Sequence, residues 1–193
     1  SFMIVFIVLV TLLILYIVYE NHTRNKELLK YAQTDALTGL YNKETTEQLT
    51  DELLSEDENK YHAFLILDVD CFKQINDIYG HAVGDIVLQK FGKLLKGTFR
   101  EGDILGRIGG DEFGVIMKNI QTKDIAMKKA EELLAKTQAY KIDELKGNNI
   151  SISIGISTAP QDGDCYMDLY KRADQALYQA KRSGKARVCN YFS

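Results

Sequence analysis

The sequence predicts an α+β domain, a mostly antiparallel sheet covered by helices, preceded by one apolar helix. Three observations predict it. Residues 2–19 carry no charged side chain, so all 24 basic and 27 acidic residues of the 193-residue chain lie beyond them. Apolar runs and period-two alternations mark strands, two of them flanking a Gly-Gly turn. Amphipathic helical stretches separate those runs in an order that mixes a hairpin with crossovers, as in a helix-on-sheet sandwich.

Phe2 to Tyr19 reads FMIVFIVLVTLLILYIVY. Eighteen helical residues reach ~27 Å, close to the hydrocarbon thickness of a bilayer. Tyr16 and Tyr19 stand at one end, followed by His22, Arg24 and Lys26, which places the following chain in the cytoplasm. A signal peptide would want a basic leader and a small-x-small cleavage site, and neither is there. The reading is a transmembrane helix over residues 1–19, in the inner membrane, as the single or last span. The chain opens on Ser1, as a fragment would. Residues 20–34 lack Gly and Pro and suit a helical linker, with Leu28, Leu29, Tyr31 and Ala32 on a modest apolar side. Residues 35–193 form the domain.

Within it, Asn42 can cap a helix to about residue 55, with Leu49 and Leu53 on one face. Residues 62–69, HAFLILDV, read as a central strand. Residues 72–79 suit a short helix stopped by Gly80, and residues 85–99 an amphipathic one with Leu88, Phe91 and Leu95 inward. Residues 104–108 and 113–117 flank the turn and read as a hairpin. Residues 123–140 form another helix. In residues 150–157 isoleucines alternate with Ser and Gly, which predicts a half-buried strand. Residues 165–183 form a helix closed by Gly184, and residues 187–192 a last edge strand.

At 46% hydrophobic and 26% charged residues the balance is globular, which excludes wholesale disorder. A net charge of −3 without a basic stripe argues against a nucleic-acid partner. Cys71, Cys165 and Cys189 make no CxxC or zinc spacing and read as free thiols of a reducing compartment.

Asp68 and Asp70 end the central strand, two apart and hence on one face. Buried carboxylates are costly unless paired. They suit Mg²⁺, which takes carboxylates, water and phosphates, or they cap the following helix. Asp111 and Glu112 add two carboxylates on a turn whose glycines allow a ligand close to the backbone. If the hairpin pairs beside the Asp68 strand, Asp68 and Asp111 converge into a site for metal-assisted phosphoryl or nucleotidyl transfer. Phe72 and Lys73 open a helix whose free N–H groups suit phosphate. Asn76 and Asp85 suit the donor edge of guanine. Lys181 and Lys185 end the last long helix, where they complement its dipole or hold phosphates.

These motifs stand in order: DALTGLYNK at 35–43, DVDCFKQINDIYGHAVGD at 68–85, RIGGDEF at 107–113, SIGIS at 153–157 and ALYQAKRSGK at 176–185. Together they resemble the GGDEF domain family of diguanylate cyclases over about residues 34–192. The resemblance implies a fold like the polymerase palm and the class III nucleotide cyclases, with a central five-stranded sheet surrounded by helices. It implies condensation of two GTP into cyclic di-GMP and two pyrophosphates across a homodimer of domains. It implies Asp68, the carbonyl of Val69 and Asp111 as ligands of two Mg²⁺ ions, or Mn²⁺, with Asp111 and Glu112 as the catalytic residues and Asp111 at the position that takes the proton from the ribose 3′-hydroxyl. Asn76, His81 and Asp85 match substrate contacts, and Phe72, Lys73, Lys181 and Lys185 the phosphate grip. Lys185 stands where the family more usually has Arg, keeping the charge but not the bidentate fork. Arg100 and Asp103 match an RxxD site for inhibition by the product.

Two other functions compete: a catalytically silent receptor for GTP or cyclic di-GMP, and an enzyme making a mixed GMP–AMP dinucleotide. The intact acidic positions and Asp85 favour the cyclase.

Overall fold

The computed structural model describes residues 2–56 and 60–191. Contacts divide the chain into two units, Ser1–Thr34 and Asp35–Ser193. The first is one helix, α1 (Phe2–Gln33), which runs without a break from the apolar segment through the expected linker. Leu12, Leu13, Ile14 and Leu15 are exposed on it. The side chains of His22, Lys26, Leu28, Leu29 and Tyr31 lie outside the described residues. Among the described residues no helix is long and apolar enough to cross a membrane. The structure therefore supports a helix at residues 2–19 but not the expected transmembrane span.

The second unit is a five-stranded sheet with helices on both faces. Its elements are α2 (Lys43–Glu56), β1 (His62–Val69), α3 (Phe72–Tyr79), α4 (His81–Thr98), β2 (Ile104–Arg107), β3 (Glu112–Met117), α5 (Lys123–Ala139), β4 (Ile152–Ala159), α6 (Tyr166–Arg182) and β5 (Val188–Asn190). The strand order is β2-β3-β1-β4-β5. β1 pairs antiparallel with β3 and β4, and β2 with β3, while the short edge strand β5 runs parallel to β4. The expected last strand is cut to three residues; Phe192 lies outside the described ones.

Period-two alternation divides β1 between two cores. Ala63, Leu65, Leu67 and Val69 face Phe91 and Leu95 of α4 and Leu133 of α5. Phe64 and Ile66 face Tyr166, Leu169, Ala173 and Leu177 of α6. Burying each large apolar side chain stabilises by about 1.5–3 kcal/mol. Phe91 and Phe113 meet edge to face at 4.9 Å. This explains the nearly continuous apolar run of β1, since all eight residues are buried.

β4 corrects one expectation. Its isoleucine–serine alternation reads as half-buried, yet all eight residues are buried. The polar face is covered by α6 and its hydroxyls are satisfied inside: Ser157 Oγ donates to the Leu169 carbonyl. α4 also begins four residues earlier than expected. Gly80, at φ 87°, turns the chain directly from α3 into α4, and two glycines in GHAVG hide the helical period. Asn42 caps α2 as expected, its Oδ1 accepting from the Thr45 N–H at 2.9 Å.

Gly155 in β4 has no room for a side chain, because a Cβ there would collide with the Ala173 carbonyl and the Leu177 backbone of α6. Backbone cannot yield as a side-chain tip can. Gly155→Ala is expected to cost about 2–3 kcal/mol. Thermal unfolding followed by circular dichroism checks this, and an unchanged midpoint would contradict the packing of β4 on α6.

Candidate active site

The site is built at the C-terminal end of β1. In register, Asp68 lies opposite Glu112 of β3 and Ser153 of β4. The pairing continues past the strand: the Val69 N–H donates to the Asp111 carbonyl at 3.2 Å and the Asp70 N–H to the Ser151 carbonyl at 2.9 Å. Asp68, Val69, Asp111 and Glu112 are thus brought together, as the sequence expected if the hairpin lay beside β1.

The Asp68–Asp70 pair does not form. Asp70 is buried and both its carboxylate oxygens are engaged, accepting from Ser153 Oγ at 2.7 Å, Ser151 Oγ at 2.8 Å and the Ala186 N–H at 3.1 Å. It ties β1 to β4 and to the segment entering β5. Asp68 instead meets Lys181, whose Nζ lies 2.7 Å from Oδ2. Burial pushes the Asp68 carboxyl above the usual carboxylate range. Lys181 opposes that shift, while the charges of Asp111 and Glu112 add to it. Clustered, partly desolvated carboxylates of this kind favour a compensating cation. The donor set is all oxygen, two carboxylates and a strand-end carbonyl, which fits a hard divalent ion.

The hairpin tip is braced from below. Arg107 donates from Nε and Nη2 to the Gly110 carbonyl at 3.1 and 2.7 Å. Its Nη1 donates to both carboxylate oxygens of Asp35 at 3.3 and 3.2 Å. Asp35 also accepts from the N–H and hydroxyl of Thr38 at 2.8 and 2.7 Å. Burial alone would raise the Asp35 carboxyl, but the Thr38 hydrogen bonds and the Arg107 guanidinium together hold it below its ordinary value.

α3 and α4 form a second wall. Cys71 precedes α3 in the left-handed region at φ 58°. Phe72 is half-buried and Lys73 exposed. Asn76 and Phe72 lie against the backbone of Gly84, where a Cβ would overlap Asn76 Oδ1. Gly84 therefore lets α4 come close enough to set Asn76, while His81 and Asp85 stay exposed on the first turns of α4.

The third wall is the end of α6. The Lys185 N–H donates to the Ala180 carbonyl and the Gly184 N–H to that of Lys181, with Gly184 at φ 111°. This is a Schellman cap, and it turns the chain back so that Lys185 Nζ lies 3.1 Å from Cys71 Sγ. Lys181 and Lys185 thus face the acidic strand ends. Arg100 and Asp103 lie elsewhere, between α4 and β2. Asp103 is buried, accepting from the Arg100 N–H and guanidinium and from the Lys118 N–H. Arg100 is the exposed member and also donates to the Lys118 carbonyl at 2.6 Å.

The model of the family described as "Diguanylate cyclase, GGDEF domain" matches residues 32–187. The chain belongs to the GGDEF family. It is 37% identical over 170 residues to diguanylate cyclase A of Treponema denticola, covering 85% of this chain and 46% of that protein. Among solved structures, the coiled coil and GGDEF domain of DgcB from Caulobacter crescentus, in complex with c-di-GMP, matches with a TM-score of 0.82. Identity there is 26%, over 90% of this chain and 93% of that one. The GGDEF domain of TpbB from Pseudomonas aeruginosa matches with a TM-score of 0.78 and 33% identity, over 82% of this chain and 94% of that one. The chain spans about half the length of the curated relatives it matches.

Within this GGDEF domain, sequence reasoning missed the Arg107–Asp35 brace and the Gly84 approach. A signal for the first was present: Arg107 is a lone charge at the end of a short apolar strand. The second had none, because two residues eight apart across a helix turn give no local pattern.

Because the folded Asp35 carboxyl is a stronger acid than the unfolded one, its contribution is complete above the unfolded value. It is lost as the pH falls through the folded one. Asp35→Asn is expected to cost about 1 kcal/mol at pH 7, with the difference from the native chain vanishing in acid below the ordinary value of 3.8. Denaturant titrations at both pH values check this, and a pH-independent difference would exclude the carboxylate as the cause.

Proposed function

We propose that the chain is a diguanylate cyclase that condenses two GTP into cyclic di-GMP and two pyrophosphates, with one GTP on each domain of a homodimer. The observation that carries this reading is the convergence of Asp68 and Asp111 at one strand end, facing Lys181 and Lys185 on a GGDEF fold. Asn76 and Asp85 receive the guanine edge, with His81 as a further substrate contact. Phe72, Lys73, Lys181 and Lys185 hold the triphosphate. Asp68, the Val69 carbonyl and Asp111 would hold Mg²⁺, which supplies charge neutralisation at the α-phosphate and acidifies the attacking hydroxyl. Asp111 accepts the proton of the ribose 3′-hydroxyl, and Glu112 keeps the field at that edge negative. The hydroxyl of one GTP attacks the α-phosphorus of the other and pyrophosphate leaves. Juxtaposing the two domains converts this encounter into a near-intramolecular step.

Two refinements belong to the same reading. Arg100, exposed beside the buried Asp103, forms the contact for feedback by the product. The apolar residues 2–19 anchor the chain in the inner membrane with the domain cytoplasmic, supported by the absence of charge in that run and by Arg24 and Lys26 after it.

Incubation of the full chain with GTP and Mg²⁺, with chromatography of the products, tests the activity. Cyclic di-GMP should form at a rate rising more than proportionally with protein concentration. Asp111→Ala should lower turnover by about a hundredfold or more, and Arg100→Ala should keep turnover but lose product inhibition. No product at high concentration after removal of bound cyclic di-GMP would favour a silent receptor. For the anchor, alkaline carbonate extraction of membranes is the check: release of the chain into the soluble fraction would exclude a span.

A further inference from the structure

The cation nearest to Asp68 comes from the chain itself. Lys181 Nζ lies 2.7 Å from Asp68 Oδ2, with the Asp68 side chain 9% exposed and that of Lys181 35%. The same carboxylate is the one assigned above to a divalent ion, and the same ammonium is assigned to the triphosphate. We propose that Lys181 is an internal counterion of the metal carboxylate, displaced from Asp68 to the triphosphate when nucleotide arrives, so that metal binds weakly until then. The inference rests on the cyclase reading of this site.

The geometry supplies both end states. Lys181 sits in the last turn of α6 on a flexible four-carbon stem, and the Schellman cap holds that turn in place beside the strand ends. A bare divalent ion has to compete with an ammonium already seated on a largely buried carboxylate. A triphosphate brings several negative charges, draws the ammonium off Asp68 and leaves the carboxylate to the ion. Lys185 stands off from that position, its Nζ 3.1 Å from Cys71 Sγ. Linkage makes the effect reciprocal: whatever nucleotide does for metal affinity, metal does for nucleotide affinity.

The test is Mn²⁺ titration of the full chain without nucleotide, read from the free-ion electron paramagnetic resonance signal. It compares the native chain, Lys181→Gln, Lys181→Met and Asp68→Asn, each first shown to be folded by circular dichroism. Both Lys181 variants should bind Mn²⁺ alone about fivefold or more tightly than the native chain, the lower end of ordinary coupling between linked sites. A non-hydrolysable GTP analogue should tighten Mn²⁺ binding in the native chain by a larger factor than in the variants. Unchanged or weaker Mn²⁺ binding by both Lys181 variants, with Asp68→Asn abolishing it, overturns the counterion and leaves the metal site standing. Mn²⁺ binding untouched by Asp68→Asn overturns the metal reading of Asp68 and the counterion with it.

Discussion

The register of β1 between β3 and β4 is the constraint on which the acidic end of this domain depends. A strand alternates faces residue by residue, so a slip of one position would turn Asp68 from the α6 side to the α4 side. The slip would also bury Phe64 and Ile66 in the wrong core. The two cores, with Phe91 and Leu133 on one face and Tyr166 and Leu177 on the other, therefore lock the position of a carboxylate at the strand's far end. The pairing extends beyond the strand to Asp111 on one side and Ser151 on the other. Precision at the site is thus supplied by apolar packing that contains no catalytic group.

The charges at that end are set against stability. Asp68 is buried beside Asp111 and Glu112, and its carboxyl is driven upward. Asp70 shows how the same chain treats a buried carboxylate without a cation beside it: three donors, two hydroxyls and a backbone N–H, hold its two oxygens. One acid is held by neutral donors and the other by a single ammonium, that of Lys181. Such local conflict is a usual signature of a functional site within an otherwise consistent fold.

The apolar run of β1, the hairpin about Gly109-Gly110 and the two long helices α5 and α6 were all legible, because period and turn chemistry are local. So was the family, since its motifs stand in order along the chain. What stayed hidden depended on contacts made at long range. Asp68 and Asp70 look equivalent in sequence, and only the approach of Ser151, Ser153 and Ala186 separates them. The serines of β4 look solvent-facing until α6 covers them. The start of α4 was masked by glycines, one of which, Gly84, is there so that Asn76 can lie against the helix.

β1 is central in the sheet but early in the chain. On the ribosome its eight residues, six of them apolar, emerge before either neighbour, and both edges wait while residues 112–117 and then 152–159 are made. An unpaired apolar strand is an adhesive surface in a nascent polypeptide. The lysines facing the carboxylates arrive later still, at positions 181 and 185. The domain therefore cannot assemble progressively from its amino end. Its biogenesis calls for either shielding of that strand during translation or a post-translational collapse in which sheet, cores and site form together.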